Sequence, residues 1–186
     1  HQIAHRWRAE RWDSLVANGP AWHDRFPEME FSTCGPDDFP GKEEVADYLR
    51  AFAKANKAPV REGVEVKRLT RGANGLFRAE TNAGTITARN VVSATGSFQK
   101  PLIPTLVPDG LGLMQIHSTH YRNPGQLPRG GVLVVGGGSS GTQIADELNR
   151  AGRRTWLSLG PHDRPPRRYR GKDFVWWLGA LGKWDL

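Results

Sequence analysis

The stretch VLVVGGGSSGTQIADEL, residues 132–148, changes its hydrophobic period midway. A run of consecutive apolar residues predicts a buried strand, the glycines predict a tight turn, and an amphipathic spacing then predicts a helix over about 139–151, stopped by Gly152. The run RTWLSL at 154–159 reads as a second strand. Strand, helix and strand in that order form one βαβ unit, the building block of a parallel sheet.

Other patterns occupy the preceding sequence. In GKEEVADYLRAFAKANKAP the positions Val45, Leu49 and Phe52 share one helical face with Tyr48 beside them. A helix is expected from about Lys42 to Asn56, with Pro59 as its stop. Residues 60–96 alternate as an antiparallel meander whose turns fall at GANG and NAGT, with a last strand climbing through Val91 and Val92 into Ala94, Thr95 and Gly96. Residues 1–40, rich in Trp, Pro and Asp, read as loops and short helices, and QKPLIPTLVPDG reads as a proline-punctuated connection between domains.

Composition narrows the class. Hydrophobic content of 38% and charged content of 24% describe a folded globular chain, and no apolar run is long enough to span a membrane. Cys34 is the sole cysteine, which excludes an internal disulfide, a CxxC redox pair and a cysteine-rich zinc site, and fits a cytoplasmic location. The net charge of +7 is localised: residues 150–172 hold eight basic residues against Asp163 alone, and the rest of the chain sums to zero. Nucleic-acid binders spread their positive charge along a face that tracks many phosphates. A local excess directly after a glycine-rich turn points instead to one anionic ligand.

Gly136, Gly138 and Gly141 fit GxGxxG. Their expected roles are a tight turn, close backbone approach to a pyrophosphate, and close packing of helix on strand. Gly137 lies within the loop, and the hydroxyls of Ser139 and Ser140 stand at the helix N-terminus, where free N–H groups and the dipole favour an anion. An ordinary glycine loop is the competing reading. NAD sites usually carry Asp or Glu at the end of the second strand; here Ser158, Leu159 and Gly160 are followed by PHDRPPRRYR. A carboxylate would repel a 2′-phosphate and a guanidinium would bind it, so NADP(H) is expected over NAD(H), with Arg164, Arg167 or Arg168 as the clamp. A solvated basic loop is the alternative.

Taken together, WRAERWDSLVANGPAWHDRFP, FPGKEEVADYLRAFA, ARNVVSATGSFQKPLIP, QIHSTHYRNP, VLVVGGGSSGTQIADEL and RYRGKDFVWWLG resemble, in order and spacing, the class B flavoprotein monooxygenases. That family covers flavin-containing and Baeyer–Villiger-type enzymes, and the chain looks more like its bacterial FAD- and NADPH-dependent members. The resemblance implies a Rossmann-like α/β flavoprotein with two dinucleotide-binding domains, of which this chain is an internal fragment. Residues 1–103 would belong to the FAD-binding domain, contributing the meander but lacking its N-terminal glycine fingerprint. Residues 104–186 would form the first part of the NADP-binding domain, contributing the βαβ unit. No GxGxxG precedes residue 136, since Gly110 and Gly112 are followed by Gln115 in the third place. The chain also opens without Met, and its tail would leave Trp176, Trp177 and Trp184 exposed, unless further sequence or a membrane surface covers them.

The resemblance further implies site residues and a reaction. Trp7, Arg11 and Trp12 match positions around the flavin, with core packing as the alternative for both tryptophans. Val66 matches a position whose backbone meets the FAD adenine, and Ala94, Thr95 and Gly96 match a strand end near the cofactor diphosphates. Asn18 matches an asparagine beside the isoalloxazine, a catalytic group holding the flavin oxygen adduct, or else it is a turn residue before Gly19. His117 and Tyr121 fill the last two places of the family's F-x-G-x-x-x-H-x-x-x-aromatic signature, although Leu111 and Leu113 depart from the first two. His117 is either a supporting catalytic contact or a hydrogen-bonded loop residue, and His120 is structural. The implied activity is an FAD- and NADPH-dependent monooxygenase that passes one oxygen atom from a C4a-(hydro)peroxyflavin to a small organic substrate, with no metal. The alternatives are an NADPH-dependent flavin reductase or oxidase without oxygen transfer, and a non-catalytic NADP-binding fragment.

Overall fold

In the computed structural model, residues 2–96, 100–108, 110–161 and 165–184 are described. Two short helices, α1 (His5–Ala9) and α2 (Ala21–Asp24), lead to the longer α3 (Lys42–Ala55). Glu43 and Glu44 favour the start of α3 by opposing its dipole, and Glu44 also accepts the Gly41 N–H at 2.7 Å. The buried face of α3 holds Val45, Ala46 and Tyr48. Tyr48 ties down the loop before it: its hydroxyl accepts the Phe26 N–H at 2.6 Å and donates to the Met29 carbonyl at 2.7 Å. Arg8 of α1 bridges Glu43 and Asp47 on the neighbouring surface of α3.

The meander forms as the alternation predicts. Strands β1 (Val66–Arg71), β2 (Phe77–Thr81) and β3 (Gly84–Ala88) pair antiparallel in sequence order. Gly75, at φ +77°, closes the first turn, and Thr81 opposite Gly84 closes the second around two residues. The expected last strand is absent: β3 ends at Ala88, and residues 91–96 form no strand. A strand requires a partner for its backbone groups, and no neighbouring strand among the described residues reaches this segment; Val92 is 88% exposed.

The βαβ unit is also present. Strand β4 (Val132–Val135) lies parallel to β5 (Thr155–Ser158), and α4 (Ser139–Arg150) crosses between them. Gly152, at φ +73°, ends the crossover. A hairpin of β6 (Arg168–Tyr169) and β7 (Lys172–Asp173), not foreseen from the sequence, turns through Arg170 and Gly171, both at positive φ. Helix α5 (Phe174–Ala180) follows, with Asp173 capping it by accepting the Val175 N–H at 2.9 Å. Trp176 and Trp184 are exposed, while Trp177 is half-buried and donates its indole N–H to the Tyr169 carbonyl.

Helix α4 lies at the centre of the core. Ile144 and Leu148 on one face pack with Trp12, Leu15 and Tyr121, and Val132 and Val134 close in from β4. The helix is therefore held between its own strands and two segments distant in sequence. The opposite face of β4 and β5 carries Leu133, Val135 and Trp156, all exposed. Strands of a parallel sheet are ordinarily apolar on both faces because both are covered, which accounts for the uninterrupted run VLVV. No helix among the described residues is long and apolar enough to cross a membrane.

Candidate dinucleotide-binding site

The site is built where β4 hands over to α4. Gly136 adopts φ +106°, in the region disfavoured for residues with a Cβ, and its N–H continues the sheet ladder by donating to the Ser158 carbonyl at 3.0 Å. Gly141 sits where helix and turn touch: a Cβ there would stand 1.9 Å from the Gly136 carbonyl oxygen. Gly138 is different. It is the N-cap of α4 at φ −65°, and a Cβ added to it would meet no described atom within 4 Å. Thus Gly136 and Gly141 are fixed by the protein's own geometry, whereas the Gly138 backbone borders open space.

The N-terminus of α4 has donors to spare. The first intrahelical bond runs from the Thr142 N–H to the Gly138 carbonyl at 3.0 Å, so the preceding amides have no helical acceptor. Gly138 has no side chain with which to cap them. The Ser139 and Ser140 side chains are exposed beside them. Amides converging at the positive end of a helix dipole, over a glycine that keeps the approach open, fit a diphosphate.

The basic residues that follow have varied surroundings. Arg164 lies outside the described residues. Arg167 donates through Nε to Asp173 at 2.8 Å and stacks 4.6 Å above the Phe39 ring, which ties the hairpin to the N-terminal segment. Arg168 is exposed and borders a groove with Pro20, Trp22, Lys172 and Trp176. Arg154 covers the Trp156 ring, and Arg153 donates to the Pro128 carbonyl.

The structure brings several of the remaining candidates to α4. Trp12 is 2% exposed in the core, with its indole N–H unpartnered among the described residues. Trp7 packs partly buried against the same cluster. Arg11 is half-buried and makes no hydrogen bond or ion pair among the described residues. Asn18 is exposed, and its Oδ1 accepts from Gln143 Nε2 of α4 at 3.3 Å. Val66 lies at the start of β1 opposite Thr81, and Ala94, Thr95 and Gly96 lie in the exposed segment beyond β3. Val66 is engaged in the ladder of the meander, a sheet separate from that of β4 and β5.

His117 is half-buried in a turn. Its Nδ1 accepts the Thr119 N–H at 3.2 Å, which fixes the tautomer with hydrogen on Nε2. His120 donates its backbone N–H to the His117 carbonyl, as a structural residue of that turn would. Tyr121 lies under α4, 2% exposed, and its hydroxyl donates to Glu147 Oε2 at 2.6 Å. Burial, reinforced by the Glu147 bond and charge, holds the phenol well above its ordinary ionisation range. Stability should therefore fall once pH rises past about 10, where an unfolded tyrosine ionises and this one does not. Tyr121→Phe should lower unfolding stability by about 1–2 kcal/mol at neutral pH and flatten that alkaline loss. Urea titrations at pH 7 and pH 10.5 measure both.

Residues that the sequence reading did not single out complete this junction. Arg122 donates to the Thr119, Tyr121 and Ala9 carbonyls, and its own carbonyl accepts the Asp13 N–H at 2.8 Å. Asn123 donates to Asp13 at 2.7 Å, the main reason that carboxyl lies below its usual range. Glu147 and Gln143 join the same junction from α4. The only available signal was the string HYRNP itself, because none of these contacts has a sequence period. Cys34 lies apart from this junction, with its thiol raised by burial and by the nearby charges of Glu44 and Asp38, the reverse of an activated thiolate.

A strand, a glycine turn and a crossover helix returning to a parallel strand form a Rossmann-like α/β unit. The family model of pyridine nucleotide-disulphide oxidoreductases matches residues 23–172, and the chain belongs to that family. It is 40% identical over 185 residues to an uncharacterized CzcO-like oxidoreductase of Geobacillus kaustophilus, covering 98% of this chain and 52% of that protein. An indole-3-pyruvate monooxygenase, YUCCA1, of Oryza sativa subsp. japonica is 30% identical, over 81% of this chain and 37% of its own length. Among solved structures, a flavin-containing monooxygenase from Stenotrophomonas maltophilia superposes with a TM-score of 0.78 at 26% identity, covering 93% of this chain and 51% of that one. The likeness to flavin-dependent monooxygenases seen in the sequence is thus met in sequence relatives and in fold. The chain spans about half the length of the CzcO-type relatives it matches.

Proposed function

We propose that this chain supplies the NADP(H)-binding site and part of the flavin site of an FAD- and NADPH-dependent monooxygenase acting on a small organic substrate with dioxygen. The observation that carries the reading is the glycine turn, where Gly136 and Gly141 are sterically obligatory and Gly138 is open to a ligand. Monooxygenase relatives and a monooxygenase of the same fold support the class of reaction. In this reading residues 1–103 belong to the FAD-binding domain and residues 104–186 to the NADP-binding domain, with the Arg122–Ala9 and Asn123–Asp13 bonds fastening one to the other.

The amides of residues 138–141 hold the diphosphate of NADP(H), and the 2′-phosphate falls to the arginines beyond β5. Arg168 is exposed, whereas Arg167 already has Asp173 as its partner. Bound flavin would supply the redox chemistry, taking hydride from the nicotinamide and activating dioxygen. Asn18 offers an Nδ2–H₂ donor to the flavin side of the site, and His117 Nε2–H is a supporting donor. Among the described residues the Trp12 indole N–H and the Arg11 guanidinium have no partner, which supports a polar group of the cofactor lodging beside this N-terminal segment.

The test follows NADPH oxidation, oxygen uptake and hydrogen peroxide in the flavin-loaded holoprotein with small sulfides, amines and ketones. Label from ¹⁸O₂ in a product supports oxygen transfer. Peroxide accounting for every electron with every substrate would favour the flavin oxidase reading instead. In the same assay Arg168→Ala should reduce the preference for NADPH over NADH by about tenfold, the loss of one charge-assisted contact.

A further inference from the structure

The geometry points to Gln143 as the residue that sets the orientation of the Asn18 amide, and through it decides which Asn18 atom faces the cofactors. This inference rests on the proposed role of Asn18. Gln143 lies one turn into the helix whose N-terminus forms the nucleotide site, and its carboxamide reaches 125 residues back along the chain. Oε1 accepts from the Val16 N–H at 3.5 Å, while Nε2 donates to the Val16 carbonyl at 3.4 Å and to Asn18 Oδ1 at 3.3 Å.

The Val16 backbone removes the ambiguity that a carboxamide usually carries. A backbone N–H can only donate and a carbonyl can only accept, so Gln143 has one productive orientation, with Nε2 toward Asn18. Asn18 must then present its oxygen to Gln143. Its Nδ2, which has no partner among the described residues, is left as the outward donor. With the amide reversed, two N–H₂ groups would face each other and an acceptor would be turned outward. Gln143 is therefore a positioning residue, and it links the orientation of Asn18 to the helix that binds the nucleotide.

Gln143→Glu separates this role from simple packing. The shape and the acceptor for the Val16 N–H are retained, but a carboxylate cannot donate to Asn18 Oδ1. The Asn18 amide should reverse and direct its oxygen outward. In the flavin-loaded holoprotein, the fraction of NADPH oxidised that appears as hydrogen peroxide should rise severalfold, to the level given by Asn18→Ala. Lowering the pH toward 5 should reduce that fraction in Gln143→Glu as the introduced carboxyl regains a proton, and should not do so in Asn18→Ala. A second readout needs no turnover: the ¹⁵N side-chain amide resonance of Asn18, assigned by its loss in Asn18→Ala, should shift in Gln143→Glu and return on acidification. If that resonance does not move, and peroxide release in Gln143→Glu matches the wild type while Asn18→Ala raises it, the orienting role is overturned. If the resonance moves as expected but Asn18→Ala leaves peroxide release unchanged, Gln143 still orients Asn18 and the proposed function of Asn18 fails.

Discussion

Gly141→Ala should cost the protein both stability and its nucleotide. The added methyl would stand 1.9 Å from the Gly136 carbonyl oxygen, a backbone atom that no rotamer change can clear. Either α4 moves away from β4 or the turn opens, and both disturb the amides meant for the diphosphate. Overpacking of this kind costs about 1–3 kcal/mol. NADPH affinity should fall at least tenfold, equivalent to about 1.4 kcal/mol. Gly138→Ala is the companion substitution, because its Cβ would meet no described atom. It should leave the unfolding midpoint near wild type while weakening NADPH, since only the ligand's approach is obstructed. Thermal unfolding and fluorescence titration with NADPH distinguish the pair. Equal and full NADPH affinity in both variants would remove the glycine turn from the binding site.

Leu148→Ala should be the most destabilising truncation in the core. Leu148 is fully buried at 0% exposure, beneath Trp12 and Tyr121, and it belongs to the cluster that joins α4 to segments far away in sequence. Alanine is at least as good a helix former as leucine, so the loss would come from packing and not from the helix itself. Burial of this completeness sets a cost of about 2–5 kcal/mol, a large share of a domain's total stability. Urea denaturation measures it. A loss below about 1 kcal/mol would mean that the N-terminal segment does not depend on α4 for its place.

Much of this architecture was legible because it is local. The 3.6-residue period placed α3 within a residue of its end, and the change from a strand run to glycine to a helical pattern placed β4 and α4. What escaped depends on partners distant in sequence. Val91 and Val92 have strand-like chemistry, but a strand is a property of a pair, and no neighbouring strand among the described residues meets them. The β6–β7 hairpin turns on Arg170 and Gly171, and arginine at φ +48° is not a turn signal in the way that asparagine is. At the site, the glycine spacing identified the turn between β4 and α4. The anchoring roles of Arg122, Asn123 and Glu147 and the reach of Gln143 to Asn18 were not readable, since each depends on a side-chain bond to a residue 26 to 125 positions away. Arg167 shows the same limit, because its Asp173 partner was in the sequence but its stacking on Phe39 was not.

Amide hydrogen exchange across residues 136–143 of the holoprotein, with and without saturating NADP⁺, examines the binding claim most directly. Slowed exchange concentrated in this stretch is expected, because the amides at the start of α4 would then donate to phosphate oxygens instead of water. Saturable NADP⁺ binding with unchanged exchange here, and protection arising elsewhere, would contradict it.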